Sequence, residues 1–136
     1  MAEILNIKKA LERKLETITG SIATAFEGVS FIPPEGVMYQ RCQFLINSPD
    51  DPTFPAGYHR ERLEMQVFVC DIKGNGTTAA FTRAELIRNT FYKSLSLIEG
   101  ATKIFILRTP QIGSAFITQD RIIVPVLIPI IAEVYQ

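Results

Sequence analysis

Apolar residues near the start of the chain recur at intervals of three and four positions, at Ile4, Ile7, Leu11, Leu15 and Ile18. Charged side chains occupy the other side of the predicted helix, at Lys8, Lys9, Glu12, Arg13 and Glu16. This spacing places a single apolar stripe along one side of a helix. The pattern therefore predicts an amphipathic helix, which we expect to end near Gly20, because glycine is the residue most often found just after a helix.

Two later stretches, residues 38–47 and 59–73, predict strands joined by a long loop at residues 48–57. In the first strand the apolar positions are even-numbered, and in the second they are odd-numbered. Even positions must therefore face odd ones, because a slip of one residue would expose one of the two sets. Cys42 then points into the core and Cys70 points away from it, so we expect no disulfide between them.

A second helix is predicted after the glycine turn at residues 74–76, with Thr77 or Thr78 as its cap and its end near Gly100. Its apolar stripe comprises Ala80, Ala84, Ile87, Phe91 and Leu95. Strands at residues 102–109 and 121–135 complete the chain. The order of helix, strands, helix and strands predicts an α+β fold in a single domain, residues 1–136. We expect a largely antiparallel sheet, with both helices packed on one face and a long hairpin bearing an extended loop.

The sheet face away from the helices is expected to be apolar as well, because the last two strands are apolar in both phases. Two helices can cover only one face of a sheet. We therefore predict a subunit interface on the other face, formed by Tyr39, Leu45, Phe68, Phe105 and Leu127. The alternative is that the first segments of the chain fold over this face.

The loop at residues 48–57 is long for a hairpin connection, and prolines at positions 49, 52 and 55 stiffen it. We predict that this loop and the strand residues after it form an assembly contact. The residues concerned are Asp50, Asp51, Phe54, Tyr58, His59 and Arg60. The alternative is a surface loop that has no partner.

The last strand contains Pro125 and Pro129, which lack backbone N–H donors. Amides four residues apart point to the same side of a strand, so both missing donors lie on one side. We therefore expect this strand to lie at the edge of the sheet, or to be bulged on its proline side. In that position the prolines would protect an open apolar edge from uncontrolled pairing.

Composition narrows the possible function. The 136 residues are 47% hydrophobic and 21% charged, which is typical of a folded domain, and fourteen basic residues balance fourteen acidic ones. This balance argues against sequence-specific binding of nucleic acid. The longest apolar run, residues 122–132, is too short for a membrane span. No secretory signal is visible, so we expect the protein in the cytoplasm when it is made.

Candidate chemistry is sparse. The single histidine, His59, lies among charged residues, and Cys42 is expected in an apolar site that disfavours the thiolate. Asp50 and Asp51 are too few carboxylates for a hard metal ion. Residues 74–77 lack the third glycine and the lysine of phosphate-binding loops. We therefore expect no enzymatic activity, no cofactor and no metal.

Several stretches occur in a recognisable order after the opening helix. They are Ala25-Phe26-Glu27-Gly28-Val29, Phe31-Ile32-Pro33-Pro34, Gly57-Tyr58-His59-Arg60, Gln66-Val67-Phe68-Val69, Lys73-Gly74, Arg108-Thr109-Pro110 and Ile123-Val124-Pro125-Val126-Leu127-Ile128-Pro129. Together they cover most of the chain, which resembles the phage tail-terminator-like proteins of long-tailed bacteriophages. One departure is Gly28, which stands where a polar residue such as asparagine is expected.

The resemblance implies a structural protein that forms a ring, commonly of six subunits, at the head-proximal end of the tail tube. Such a ring stops polymerisation of the tube and offers a surface for head joining. The implied partners are other copies of the chain, the tail tube protein and the head–tail connector protein, first in the host cytoplasm and then in the virion tail. The alternatives are a head-closure or neck connector protein, a small cytoplasmic ligand-binding domain, or an unrecognised enzyme.

Overall fold

The structure is a computed structural model that describes residues 3–20, 22–52, 54, 56–74 and 76–135. Over these residues the chain forms two helices and eight strands. In chain order they are α1 (Glu3–Glu16), β1 (Ala23–Ala25), β2 (Tyr39–Ile46), β3 (Tyr58–Ile72), α2 (Thr78–Thr90), β4 (Ser96–Glu99), β5 (Thr102–Ile106), β6 (Gln111–Ile112), β7 (Phe116–Ile117) and β8 (Arg121–Tyr135).

The strands form one sheet in the order β1-β2-β3-β8-β5-β4, with β6 and β7 also paired to β8. Strands β3 and β8 lie at its centre and are antiparallel over their full length. The β1–β2 pair is parallel, and the other pairs are antiparallel. The predicted long hairpin of β2 and β3 is confirmed.

The register of this hairpin also follows the prediction. Cys42 lies opposite Val67 and Phe44 opposite Met65, so even positions of β2 face odd positions of β3. Cys42 belongs to the hydrophobic core. Cys70 lies in the other phase, opposite Tyr39. Both cysteines are free and buried, as expected of thiols on opposite faces of a sheet.

Both helices pack on the same face of the sheet, which confirms the predicted α+β fold. The stripe of α1 contributes Ile7, Leu11 and Leu15 to the core. From α2 come Ala84 and Ile87, which are fully buried against the central strands. The strands supply odd positions of β3 and even positions of β8, namely Leu63, Met65, Val67, Val69, Val124, Val126, Ile128 and Ile130.

The first helix ends at Glu16, earlier than the expected end near Gly20. The Thr17 amide and hydroxyl both donate to the carbonyl of Lys14, at 3.1 and 2.6 Å, which closes the last turn. Residues 17–19 are all β-branched, and β-branched side chains lose rotamer freedom in a helix. Gly20 has a φ of +70° and belongs to the turn that follows.

The predicted end of α2 near Gly100 is wrong. The helix ends at Thr90, with Phe91 at its C-cap, and β4 follows. A glycine after a periodic apolar stretch fits either a helix end or a hairpin turn. Here Gly100, at a φ of +63°, turns β4 into β5. At the other end Thr77 is the N-cap, although its side chain makes no capping hydrogen bond.

Four short strands were not predicted. Strand β1 is the next element after α1, β4 occupies the predicted end of the second helix, and β6 and β7 lie between the two last predicted strands. Strand β5 ends at Ile106, three residues before the predicted end of that strand. Strands of two or three residues carry too little alternation to stand out in a sequence.

The predicted edge position of β8 is wrong, because the strand is central. The predicted disruption on its proline side is confirmed. Gly113 and Leu107 donate to the carbonyls of Pro125 and Pro129 at 2.9 and 3.0 Å, so both prolines face the side of β5, β6 and β7. The pairing of β5, β6 and β7 with β8 is interrupted twice, and each interruption lies at a proline. Residues 107–110 lie opposite 128 and 129, and residues 113–115 lie opposite 124 and 125.

A buried arginine joins the helical layer to the edge of the sheet. Arg83 on α2 is 5% exposed and donates to Gln40 Oε1 at 3.2 Å. It also donates to the carbonyls of Thr19 and Gly20 at 3.1 and 3.0 Å. Burial lowers the pKa of this guanidinium. The side chain therefore fixes the segment after α1 against α2 and β2 through hydrogen bonds to neutral acceptors.

We expect Arg83→Met to lower the free energy of unfolding by about 2 kcal/mol, because the buried Gln40 side chain loses its donor. Chemical denaturation measures the change. Arg13→Met is the matched control, since the Arg13 side chain, which pairs with Glu99, is 64% exposed. We expect the control to cost less than about 1 kcal/mol. Equal costs for the two variants would show that the buried network contributes nothing.

We expect Gly113→Ala to destabilise the protein by about 1 kcal/mol, because a Cβ at this position would lie 2.8 Å from Pro125 Cγ. In a Pro125→Ala background the ring is absent, so the same change should cost nothing. A double-mutant cycle of unfolding free energies measures this coupling. Independent effects of the two substitutions would contradict the close contact.

Candidate assembly surface

The five residues predicted as a subunit interface all lie on the sheet face away from the helices. The register places Leu45 beside Glu64 and Tyr39 beside Cys70, in the phase opposite to the core. Phe105 lies opposite Ile131 in the same phase of β8 as Leu127. The sequence phases therefore assigned these residues to one face correctly. Their role as an interface stays a prediction.

One end of this outer face is covered by the chain itself. Arg121 donates to the carbonyl of Val37 at 2.5 Å and to that of Pro34, and its guanidinium lies 4.9 Å from the Tyr39 ring. Phe31 contacts Tyr39 at a ring-centroid distance of 5.4 Å. The alternative of a covering segment is therefore correct at this end, where Tyr39 packs within its own chain.

The rest of the outer face is amphipathic and lies outside this covering segment. Leu45 is 51% exposed, and Phe68, Phe105 and Leu127 are half-buried. The Arg41 guanidinium stacks over the Phe68 ring at 5.1 Å. A surface with apolar centres and satisfied polar neighbours is typical of contacts between proteins.

A row of hydrogen-bonded polar side chains crosses the middle of this face. Gln43 Nε2 donates to Gln66 Oε1 at 2.8 Å, and Gln66 Nε2 donates to Glu64 Oε1 at 2.8 Å. The amides are therefore held in place before any partner arrives. Preformed polar groups of this kind favour one docking orientation over others.

The predicted assembly loop is shorter than expected, because the hairpin pairing continues beyond β2. The backbones of Asp50 and Arg60 exchange two hydrogen bonds of 2.9 Å, and the Asp50 carboxylate lies 3.6 Å from Arg62. Beyond this bridge Asp51 and Phe54 are exposed, and Phe54 has a relative exposure of 103%. Residues 53 and 55, which include one of the three prolines, lie outside the described residues.

Tyr58, His59 and Arg60 lie in strand β3 rather than in the loop. Tyr58 donates to Glu133 Oε1 at 3.1 Å and accepts a hydrogen bond from Arg60 Nε at 3.1 Å. His59 Nε2 lies 2.9 Å from the Glu61 carboxylate. The structure therefore places these residues at the end of the central strands, next to the exposed loop, with Tyr58 and Arg60 in one phase of β3 and His59 in the other.

The free side of β2 carries a feature that sequence reasoning missed. Glu27 accepts a hydrogen bond from the Phe44 amide at 3.2 Å and another from Lys8 Nζ at 2.7 Å. The Lys8 hydrogen bond lowers the pKa of this carboxyl group. Glu27 therefore occupies an edge amide that a strand would otherwise pair. Gly28 beside it has a φ of +77°, a conformation that glycine and asparagine both tolerate.

A cavity of about 390 Å³ opens beside Glu27, where β1 ends and the outer side of β2 continues. The segment after β1 forms one wall, and β2 forms the other. The lining residues include Phe26, Val29, Phe31, Pro33, Arg41 and Gln43. The cavity therefore combines apolar side chains on the wall after β1 with the polar side chains of Glu27, Arg41 and Gln43.

The described residues do not bring together three or more His, Cys, Asp or Glu side chains that could hold a metal ion. Burial raises the pKa of the Cys42 thiol to about 12, with smaller contributions from Glu12 and Glu27. Such a thiol is a poor nucleophile. Neither α1 nor α2 is long and apolar enough to cross a membrane.

Comparison with known proteins gives two positive findings. A family model described as phage tail terminator protein matches residues 6–129. One solved structure superposes with a TM-score of 0.79 at 19% sequence identity, and the match covers 100% of this chain and 99% of the other. At that identity the similarity shows the fold alone. None of the curated proteins matches the sequence.

We expect Cys42 to resist alkylation in the folded protein. At pH 8 a thiol of pKa about 12 has a thiolate fraction about a thousandfold lower than one at the ordinary value of 9. A raised pKa stabilises the fold below the unfolded-state value and loses that effect as pH rises towards 12. Stability should therefore fall between pH 9 and 12, and less steeply in Cys42→Ala. Mass spectrometry after iodoacetamide treatment, and denaturation across this pH range, measure both effects. Rapid labelling of native Cys42 would contradict its burial.

Proposed function

We infer a structural role in the phage tail from the phage tail terminator family, to which the chain belongs. We propose that it forms a homo-oligomeric ring, a hexamer, at the head-proximal end of the tail tube. The ring ends polymerisation of the tube protein and presents the surface that the head–tail connector protein joins. The observation that carries this proposal is the amphipathic outer face of the sheet, which the helices leave uncovered.

Two features of the outer face support a ring over an isolated subunit. Half-buried Phe68, Phe105 and Leu127 share one face with exposed Leu45, and burial between subunits removes their apolar surface from water. The polar row through Gln66 has its hydrogen bonds satisfied, so covering it leaves few unpaired groups. In this role the protein acts by contact and not by catalysis.

The charge balance supports the same role. Fourteen basic and fourteen acidic residues leave no net charge to attract a phosphate backbone. DNA that passes through a ring must move without being held. The proposal includes this passage of DNA through the ring. It also includes assembly in the host cytoplasm, followed by incorporation in the virion tail. Family membership favours tail termination over a neck connector or a small ligand-binding domain.

Mass measurement in solution tests the hexamer, and electron microscopy tests tail termination directly. Purified tail tubes are incubated with the protein and imaged, and free tube protein is added to learn whether the treated ends still elongate. We expect a single ring at one end of each tube and no further elongation there. Tubes that elongate equally with and without the protein would refute tail termination.

We expect Phe68→Glu to prevent ring formation while the subunit stays folded. The substitution replaces the aromatic ring with a carboxylate beside Arg41. Burying this charged pair between subunits costs several kcal/mol of desolvation, and the apolar contact of the ring is lost. Circular dichroism reports folding, and sedimentation with tube-capping assays reports assembly. The control is Leu86→Glu on α2, where the leucine is 39% exposed on the helical side. A folded Phe68→Glu variant that assembles like the parent would exclude this face as the interface.

A further inference from the structure

Phe54 is the most exposed of the large apolar side chains that the structure describes. Its relative exposure is 103%, so the ring is not packed against any other described residue of its own subunit. The Asp50–Arg60 bridge holds the base of the loop, and Phe54 extends beyond it. A large aromatic side chain held out in this way is typical of residues that anchor protein contacts.

The cavity beside β2 offers the complementary shape. Its volume of about 390 Å³ accommodates a phenyl ring, and Phe26, Phe31 and Val29 provide apolar and aromatic walls. Aromatic rings prefer neighbours in tilted or edge-to-face arrangements, which two phenylalanine walls allow. Val29 is 63% exposed at the rim, so the cavity opens to solvent there, and none of the described residues fills it.

The charges around the two features are also complementary. Among the described residues Asp51, three positions before Phe54, forms no ion pair, whereas Asp50 is close to Arg62. At the cavity Glu27 is neutralised by Lys8, and Arg41 has no carboxylate within ion-pair distance in the described part of the chain. One unpaired acid therefore lies beside the aromatic side chain, and one unpaired base lies beside the cavity.

We propose that Phe54 of one subunit inserts into the β2 cavity of a second copy, with Asp51 approaching Arg41. This inference rests on the proposed ring and names a contact that joins its subunits. The donor loop and the acceptor cavity are different surfaces of one chain, so the contact is head-to-tail. Repetition of a head-to-tail contact produces a closed ring when the rotation between subunits closes.

Two complementary variants test the contact without requiring a whole ring. Phe54→Ser removes the inserted side chain and keeps the cavity, whereas Val29→Glu places a charge at the cavity rim and keeps the loop. Both substituted residues are exposed, so both variants should fold. Each variant alone should lose self-association by at least about tenfold, because a buried aromatic anchor contributes that much or more. Mixed together, they should form a heterodimer with twice the 15.2 kDa mass of the chain, and nothing larger through this contact.

Nuclear magnetic resonance makes the measurement sensitive to weak binding. Isotope-labelled Phe54→Ser protein is titrated with unlabelled Val29→Glu protein up to ~1 mM, which detects dissociation constants in the millimolar range. We expect saturable shifts confined to the amides of residues 25–31 and 39–43. The negative control is a titrant that carries both substitutions. Ile32→Ser, which removes an apolar side chain that is 91% exposed and does not line the cavity, is the matched control for lost hydrophobicity.

A charge exchange tests the accompanying ion pair. Asp51→Arg in one subunit or Arg41→Glu in the other should each weaken binding, and the two reversals together should restore it.

Absence of shifts at the cavity, or shifts equal to those caused by the doubly substituted titrant, would overturn the contact. Phe54→Ser protein that still forms rings on tail tubes would refute this contact and leave the proposed function standing. If the parent protein forms the contact between copies through Phe54 and the cavity but never caps a tube, the proposed function is refuted and the contact stands. Binding of Phe54 to tube protein and not to the cavity would reassign the loop to that partner.

Discussion

The pairing of β3 with β8 is the contact on which the rest of the structure depends. All fifteen residues of each strand are paired, from Tyr58 with Tyr135 to Ile72 with Arg121. The two strands are separated along the chain by everything from α2 to β7, so this pairing closes that whole segment into one excursion. Because odd positions of β3 and even positions of β8 face the same side, the ladder also determines which face the helices bury.

The two prolines of β8 determine how the neighbouring segment can pair with it. A single long strand on the proline side would meet two positions without donors. The segment after β4 instead forms three short strands, and each gap lies opposite Pro125 or Pro129. At one gap a cavity of about 180 Å³ opens between Arg108 and Leu127. The prolines therefore interrupt a central strand on one side, while its ladder with β3 stays complete.

Much of this architecture could be predicted from the sequence, because long apolar patterns determine long elements. The bounds of β8, the phases of β2 and β3 and the opening helix all follow from periodicity. The end of α2 could not be deduced locally, since Gly100 suits a helix end as well as a turn. The central position of β8 could not be predicted in this way. The prolines show where backbone donors are absent and pairing fails, but a distant segment of the chain supplies the pairing at the positions between the prolines.

The same limit applies to the candidate site. Phase alone placed Phe68, Phe105 and Leu127 on one face, because phase is a property of each strand. The bonds of Glu27 and Arg121 to backbone groups join segments 17 and 84 residues apart, and no local pattern encodes such contacts. These two side chains act at the margins of the sheet: Glu27 occupies an edge amide and Arg121 fixes the covering segment. What remains open is the middle of the outer face and the cavity beside β2. The proposed joining of identical copies in one geometry requires apolar contacts on a few defined surfaces, and these two surfaces are the candidates.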